Sequence, residues 1–213
     1  MTVSVISVAA RGEDDISVTL EIKDGERIQR QCFLLSATIF ADLGIRLGEC
    51  DRDTFDTICG AAEQYRAVKR GLSILGYGTC SEKMLCSKLV AKGFSKDLAK
   101  AAAAELSERG FLNDLENAHR EAERCVAKLW GRRRIASHLM QRGYSDTAIK
   151  SAFYALEDSG VDFTQLCAER LRNSVNMIPA DPVARQKLMA GLSRYGFSGA
   201  EIRDAMGSVN KNL

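Results

Sequence analysis

One short pattern occurs three times in this chain, and it leaves few folds open to it. The first copy is Leu85, Leu89, Gly93, Phe94, Ser95, Ala99. The second is Ile135, Leu139, Gly143, Tyr144, Ser145, Ile149, and the third is Leu188, Leu192, Gly196, Phe197, Ser198, Ile202. The glycines stand 50 and 53 residues apart. Apolar residues four apart share one face of an α-helix. A glycine four residues after the last of them suits the left-handed stop at a helix C-terminus. A serine two residues further on suits the N-cap of the next helix. The aromatic between them can fold back on the pair as a hydrophobic staple. Each copy therefore reads as helix, tight turn, helix, and three copies in one order predict a repeat architecture.

The residues around each copy extend it to three helices. The first set has helices over about 63–75, from Thr79 to Gly93, and from Ser95 to Gly110; Thr79-x-x-Glu82 has the form of a capping box. The second set runs from Asn113 to Trp130, from Arg132 to Arg142, and from Ser145 to Asp158. The third runs from Asp162 to Met177, from Val183 to Tyr195, and from Ser198 to about Gly207, with Pro179 and Pro182 as breaks. The head of the chain reads differently. Ile16, Val18, Leu20 and Ile22 alternate with polar residues, Asp24-Gly25 makes a hairpin turn, 27–35 return, and Val3–Val8 can add a third strand. Residues 36–47 read as a short helical or irregular link ending in a turn near Gly48, and Asp51 or Asp53 can cap a helix through Cys59. The expected fold is mostly α: three tandem three-helix repeats in an elongated, curved body, with a small N-terminal β-hairpin or sheet. The expected segments are 1–62, a β-rich head with a helical link, then repeats over 63–112, 113–161 and 162–213.

Composition narrows the function classes. No apolar run approaches the ~20 residues that span a bilayer, and the first twenty carry Arg11, Glu13, Asp14 and Asp15, unlike a signal peptide. A cytoplasmic protein is the expectation. Seven cysteines are scattered, without C-x-x-C, and neither His119 nor His138 adjoins one in sequence, so the thiols read as small apolar residues and no metal or cofactor is expected. There is no phosphate loop, G-x-S-x-G or H-E-x-x-H, so no enzyme is expected. Residues 1–62 hold 6 Lys+Arg against 11 Asp+Glu, whereas 63–213 hold 24 against 17. The helical body is thus basic and suits an anionic partner.

The candidate contact residues are Arg120, Arg124, Lys128, Arg132, Arg133, Arg134 and Arg142. The first three are four apart and share a helix face. Arg132–Arg134 crowd a helix start, where cations oppose the helix dipole, so local helix stability does not explain them. Arginine offers two-pronged donors to phosphate and carboxylate alike. The alternative reading is a solvated face paired internally to Asp114, Glu121 or Glu123. Arg134 precedes the apolar Ile135 and can equally bridge helices. Trp130 can stack on a base or simply pack.

The run Gly110-Phe111-Leu112-Asn113-Asp114-Leu115-Glu116-Asn117-Ala118, then Gly131-Arg132-Arg133-Arg134-Ile135, then Leu139-Met140-Gln141-Arg142-Gly143-Tyr144 resembles the signature of the RecX family. In the first repeat Ala67, Leu72, Ser81, Glu82, Leu85, Leu89, Lys92 and Gly93 resemble the family's other stretch; the third repeat shows little motif identity. The resemblance implies a non-enzymatic regulator of the RecA recombinase, acting in DNA repair, recombination and the SOS response. Such a protein binds the RecA filament on single-stranded DNA, lies in its groove, and inhibits ATP hydrolysis and strand exchange or promotes disassembly. A monomer with at most weak DNA binding of its own is the matching expectation. The rival is a helical-repeat protein that binds DNA directly, without RecA.

Overall fold

The computed structural model describes residues 2–174 and 178–211. Strands β1 (Thr2–Ala10), β2 (Asp15–Asp24) and β3 (Arg27–Ser36) make an antiparallel meander, and β4 (Gly48–Cys50) pairs with the free side of β1, giving the order β3-β2-β1-β4. The hairpin loop is Gly25-Glu26, closed by the pair Asp24 and Arg27, and Gly25 takes a positive φ of 61°. Glycine at the first central position is the type II′ arrangement, whose twist matches the strands. β4 is absent from the sequence reading, because three residues carry no usable periodicity.

There are ten helices among the described residues, the first of them between β3 and β4. They are α1 (Ala37–Asp42), α2 (Arg52–Gly76), α3 (Glu82–Ala91), α4 (Lys96–Glu108), α5 (Asp114–Val126), α6 (Arg132–Gln141), α7 (Asp146–Asp158), α8 (Phe163–Arg172), α9 (Pro182–Arg194) and α10 (Gly199–Lys211). The chain divides into two compact units. One comprises Met1–Gly78 and Leu85–Phe111, the other Thr79–Met84 and Leu112–Leu213.

In the first unit α2 is one 25-residue helix, where the sequence suggested two. Asp51 caps it, accepting from the Thr54 amide at 2.7 Å. Its buried face steps through Ile58, Ala62, Tyr65 and Val68 without a gap, so one helix serves two partners. Ile58 and Ala62 cover Val3, Val5, Val18, Leu20 and Leu35 of the sheet, which gives the hairpin the neighbour it needs. Further along, Gly71 lies so close to Leu106 of α4 that a Cβ there would meet its Cδ1 at 2.5 Å.

A polar clamp joins β2 to α2. The Tyr65 hydroxyl donates to Asp15 Oδ1 at 2.6 Å, and Lys69 Nζ donates to both Asp15 oxygens at 2.6 and 2.8 Å. Lys69, then Tyr65, hold the Asp15 carboxyl below its ordinary range. A depressed carboxylate stabilises the fold above its unfolded pKa and loses that contribution as the pH falls through the folded value. We therefore expect Tyr65→Phe to lower Tm by a few degrees at pH 7. The acid-side loss of stability, beginning near pH ~4, is expected to be shallower in the variant than in the wild type; equal acid slopes would refute the clamp.

The three glycine turns are built alike. Gly93, Gly143 and Gly196 have φ of 95°, 87° and 96°. The following aromatic amide returns to the helix each time: Phe94 to Leu89 O (3.3 Å), Tyr144 to Leu139 O (3.1 Å), and Phe197 to Leu192 O (3.4 Å). This is the six-to-one bond of a Schellman stop. Ser95, Ser145 and Ser198 then accept from the amides of Leu98, Ala148 and Glu201, each at 3.2 Å, and Glu201 accepts from the Ser198 amide at 2.6 Å to complete a capping box.

Three helix ends depart from expectation. Ser81, not Thr79, caps α3, accepting from the Met84 amide at 3.1 Å. α5 closes at Val126 instead of Trp130, because Leu129 adopts the left-handed conformation (φ 55°) and the Trp130 amide returns to Cys125 O. α8 closes at Arg172; the expected continuation to Met177 ends on residues 175–177, outside those described.

In the second unit one core runs through α5–α10. Ala118, Ala122 and Cys125 meet Ile135, Leu139, Ile149 and Ala152, and the core continues through Phe163, Leu171, Leu192, Phe197 and Ile202. Two joints recur inside this unit. The start of α6 rests on the Gly196 turn: the Gly131 amide donates to Tyr195 O at 2.8 Å and the Arg133 amide to Gly196 O at 3.1 Å. The start of α3 rests on the Gly143 turn: Ser81 Oγ donates to Arg142 O at 2.6 Å. In both, orphan amides or a cap at one helix N-terminus meet the orphan carbonyls of another helix's C-terminus.

Candidate partner-binding surface

The seven basic candidates lie on α5, the α5–α6 connection, and α6 with its C-cap. The fold gives them different tasks. Arg120 pairs with Glu116 on its own helix. Arg124 and Arg142 both pair with Glu121, at 3.3 and 3.5 Å. Burial alone would push the Glu121 carboxyl up; the His138 hydrogen bond and the charge of Arg142 outweigh it and hold the group below its ordinary range. Arg132 reaches Glu157 at 2.6 Å and lies over the rings of Phe163 (4.6 Å) and Phe153 (5.1 Å), so it ties α6 to its neighbours. Lys128 sits over Trp130 at 5.5 Å. The Trp130 ring also meets His138 edge-on at 5.4 Å and carries Arg134 at 4.1 Å. Trp130 thus serves as a packing platform.

What remains is a cleft of about 420 Å³ where α6 meets the end of α9. Arg133, Arg134 and Arg194 line it, with Trp130, Ser137, His138 and Gln141, and no carboxylate is among the lining residues. Arg133 is exposed, and its side chain has no ion pair among the described residues. Arg134 is held between Trp130 and Tyr195, and Tyr195 also takes Arg170 at 3.7 Å on its ring. The docking of α6 on the Gly196 turn explains how three arginines come together. The carbonyl end of α9 meets the amide end of α6, and its negative dipole offsets cations that would otherwise oppose the α6 dipole. Concentrated positive charge with planar donors and no carboxylate in the lining suits phosphate or carboxylate groups. Arg194 escaped the sequence reading because it is 60 residues from Arg134 in sequence; its one signal is its place just before the third repeat glycine.

The first unit has a second basic cleft, of about 560 Å³. Arg66, Lys69 and Arg70 of α2 line it with Lys92 and Phe94 of the first glycine turn, and Arg66 lies over the Phe94 ring at 5.3 Å. No helix among the described residues is long and apolar enough to cross a membrane.

Comparison with known proteins adds what geometry cannot. No family model matches the chain. Over 139 residues it is 31% identical to regulatory protein RecX of Xanthomonas axonopodis pv. citri, covering 65% of this chain and 84% of that one. The chain belongs to the RecX family. Regulatory protein RecX of Stenotrophomonas maltophilia is 30% identical over 139 residues, covering 65% of this chain and 83% of its own length. That of Caldanaerobacter subterraneus subsp. tengcongensis is 27% identical over 186 residues, 86% of this chain and 89% of that one. The fold agrees with two RecX crystal structures. One, of regulatory protein RecX, superposes with a TM-score of 0.73 over 95% of this chain and 99% of that one, at 20% identity. The other, of RecX from Lactobacillus salivarius, gives 0.62 over 70% and 97%, at 16% identity.

Proposed function

We propose that this protein regulates RecA by binding, not by chemistry of its own. It docks as a monomer on the RecA filament formed on single-stranded DNA and, from the filament groove, suppresses RecA ATP hydrolysis and strand exchange. Membership of a family of proteins named regulatory protein RecX supports RecA as the partner. The observation that carries the binding mode is the carboxylate-free cleft of Arg133, Arg134 and Arg194. The test is DNA-stimulated RecA ATPase at increasing protein concentration. Suppression is expected at fewer than one protein per RecA subunit, and equal rates with and without the protein would overturn the proposal.

The second reading is direct DNA binding without RecA, favoured by the second basic cleft on α2. A salt titration separates the two. Binding through phosphates alone weakens steeply with salt and needs no RecA, whereas docking on the filament disappears when RecA is withheld.

A further inference from the structure

We infer that Glu121, Cys125 and His138 form a three-ligand site for a zinc-type divalent cation. The inference is independent of the reading of the arginines.

Glu121 and Cys125 are four apart on α5 and so share one face of that helix. His138 reaches the same face from α6. One ligand atom from each, a carboxylate oxygen, Sγ and a ring nitrogen, lie within 4.8 Å of one another. His138 Nε2 is already 2.8 Å from Glu121 Oε1. Cys125 is fully buried and Glu121 is 9% exposed, so two ligands are held by packing before any ion arrives. The Trp130 ring packs perpendicular to the His138 ring at 5.4 Å. One sulfur, one nitrogen and one oxygen donor suit zinc and similar borderline-soft ions, and disfavour magnesium or calcium, which take oxygen. Three protein ligands leave a fourth tetrahedral position open, and the His138 ring borders the arginine cleft from which a fourth ligand can come.

Burial pushes the Cys125 thiol up, so binding has to expel its proton to the solvent. The hydrogen bond from His138 Nε2 to Glu121 has to break, and the neutral ring then binds through Nε2 with its one proton moved to Nδ1. Arg124 and Arg142 work in two directions. They hold Glu121 ionised, as a ligand must be, but their charge opposes the ion. Both side chains are well exposed and can swing away, at 63% and 44%.

The full chain is titrated with cobalt(II), with zinc as competitor. We expect one equivalent to bind, with thiolate-to-cobalt charge-transfer absorption, the visible bands of a tetrahedral ion, and about one proton released. Zinc is expected to bleach the spectrum. Cys125→Ser is expected to abolish the charge-transfer band, His138→Gln and Glu121→Gln to weaken binding at least tenfold, and Arg142→Gln to tighten it. Circular dichroism reports whether each variant is folded. If Cys125→Ser does not fold, the wild-type spectrum and the His138→Gln and Glu121→Gln affinities decide. No charge-transfer band at saturating cobalt, a band that persists in folded Cys125→Ser, or unchanged affinity in both other ligand variants would overturn the site.

Discussion

Gly131→Ala is expected to destabilise the second unit by about 3–5 kcal/mol, the sum of backbone overpacking and two broken hydrogen bonds. A Cβ at position 131 would meet Gly196 O and Phe197 N at 2.5 Å each. Those atoms are backbone inside a glycine turn and have no rotamer to move into. To make room the α6 start has to lift off the turn, which breaks the bonds from the Gly131 amide to Tyr195 O and from the Arg133 amide to Gly196 O. A loss of that size is a large share of the ~5–15 kcal/mol that holds a domain folded. Gly196→Ala is expected to behave alike, since its Cβ would meet Arg134 Cβ at 2.5 Å and Gly131 O at 2.8 Å. Gly160→Ala is the control. That glycine has a positive φ of 87° but open space around it, so only the left-handed strain of about 1–2 kcal/mol applies. Urea denaturation measures all three. A Gly131→Ala midpoint as close to wild type as that of Gly160→Ala would refute the joint.

The second large effect is expected for the pair Arg133→Glu and Arg194→Glu. Each arginine that meets an anionic group with charged hydrogen bonds contributes about 1.5–3 kcal/mol, so the double reversal is expected to weaken suppression of RecA ATPase by a hundredfold or more. The fold is expected to tolerate it. Arg133 has no ion pair to lose among the described residues, and Arg194 gives up only its favourable place in the last turn of α9, about 0.3–1 kcal/mol. Arg120→Glu makes the informative contrast. Arg120 pairs with Glu116 within α5 and does not line the cleft, so its reversal is expected to change suppression less than threefold. If Arg120→Glu proves as damaging as the double reversal, binding follows overall charge and the cleft is not the contact. Arg132→Glu is unsuitable for this purpose. It would set two carboxylates together, with Glu157, over the rings of Phe153 and Phe163, and disturb packing as well as binding.

The sequence by itself determined much of what rests on neighbours a few residues apart. The stops at Gly93, Gly143 and Gly196 and the caps at Ser95, Ser145 and Ser198 were legible, because each is settled by backbone geometry within one turn of chain. The hairpin was legible too, although its two-residue turn is Gly25-Glu26 and not Asp24-Gly25. The helical repeat followed from them, while the family resemblance rested on residue identities over 110–118, 131–135 and 139–144. Two helix ends, at Ser81 and Leu129, were misjudged because alternative caps and stops of similar local strength lay within three residues. Tertiary structure decided which charges remain available. Arg132 and Arg142 look alike in sequence to Arg133, yet Glu157 and Glu121 engage them from other turns and other helices. It also decided what lies beside what. Arg194 joins Arg133 because a glycine turn lets two helix ends touch, and His138 reaches Cys125 because α6 packs on α5. Charge pairing and ligand clustering depend on distances across the packed core, which no period or spacing along the chain encodes.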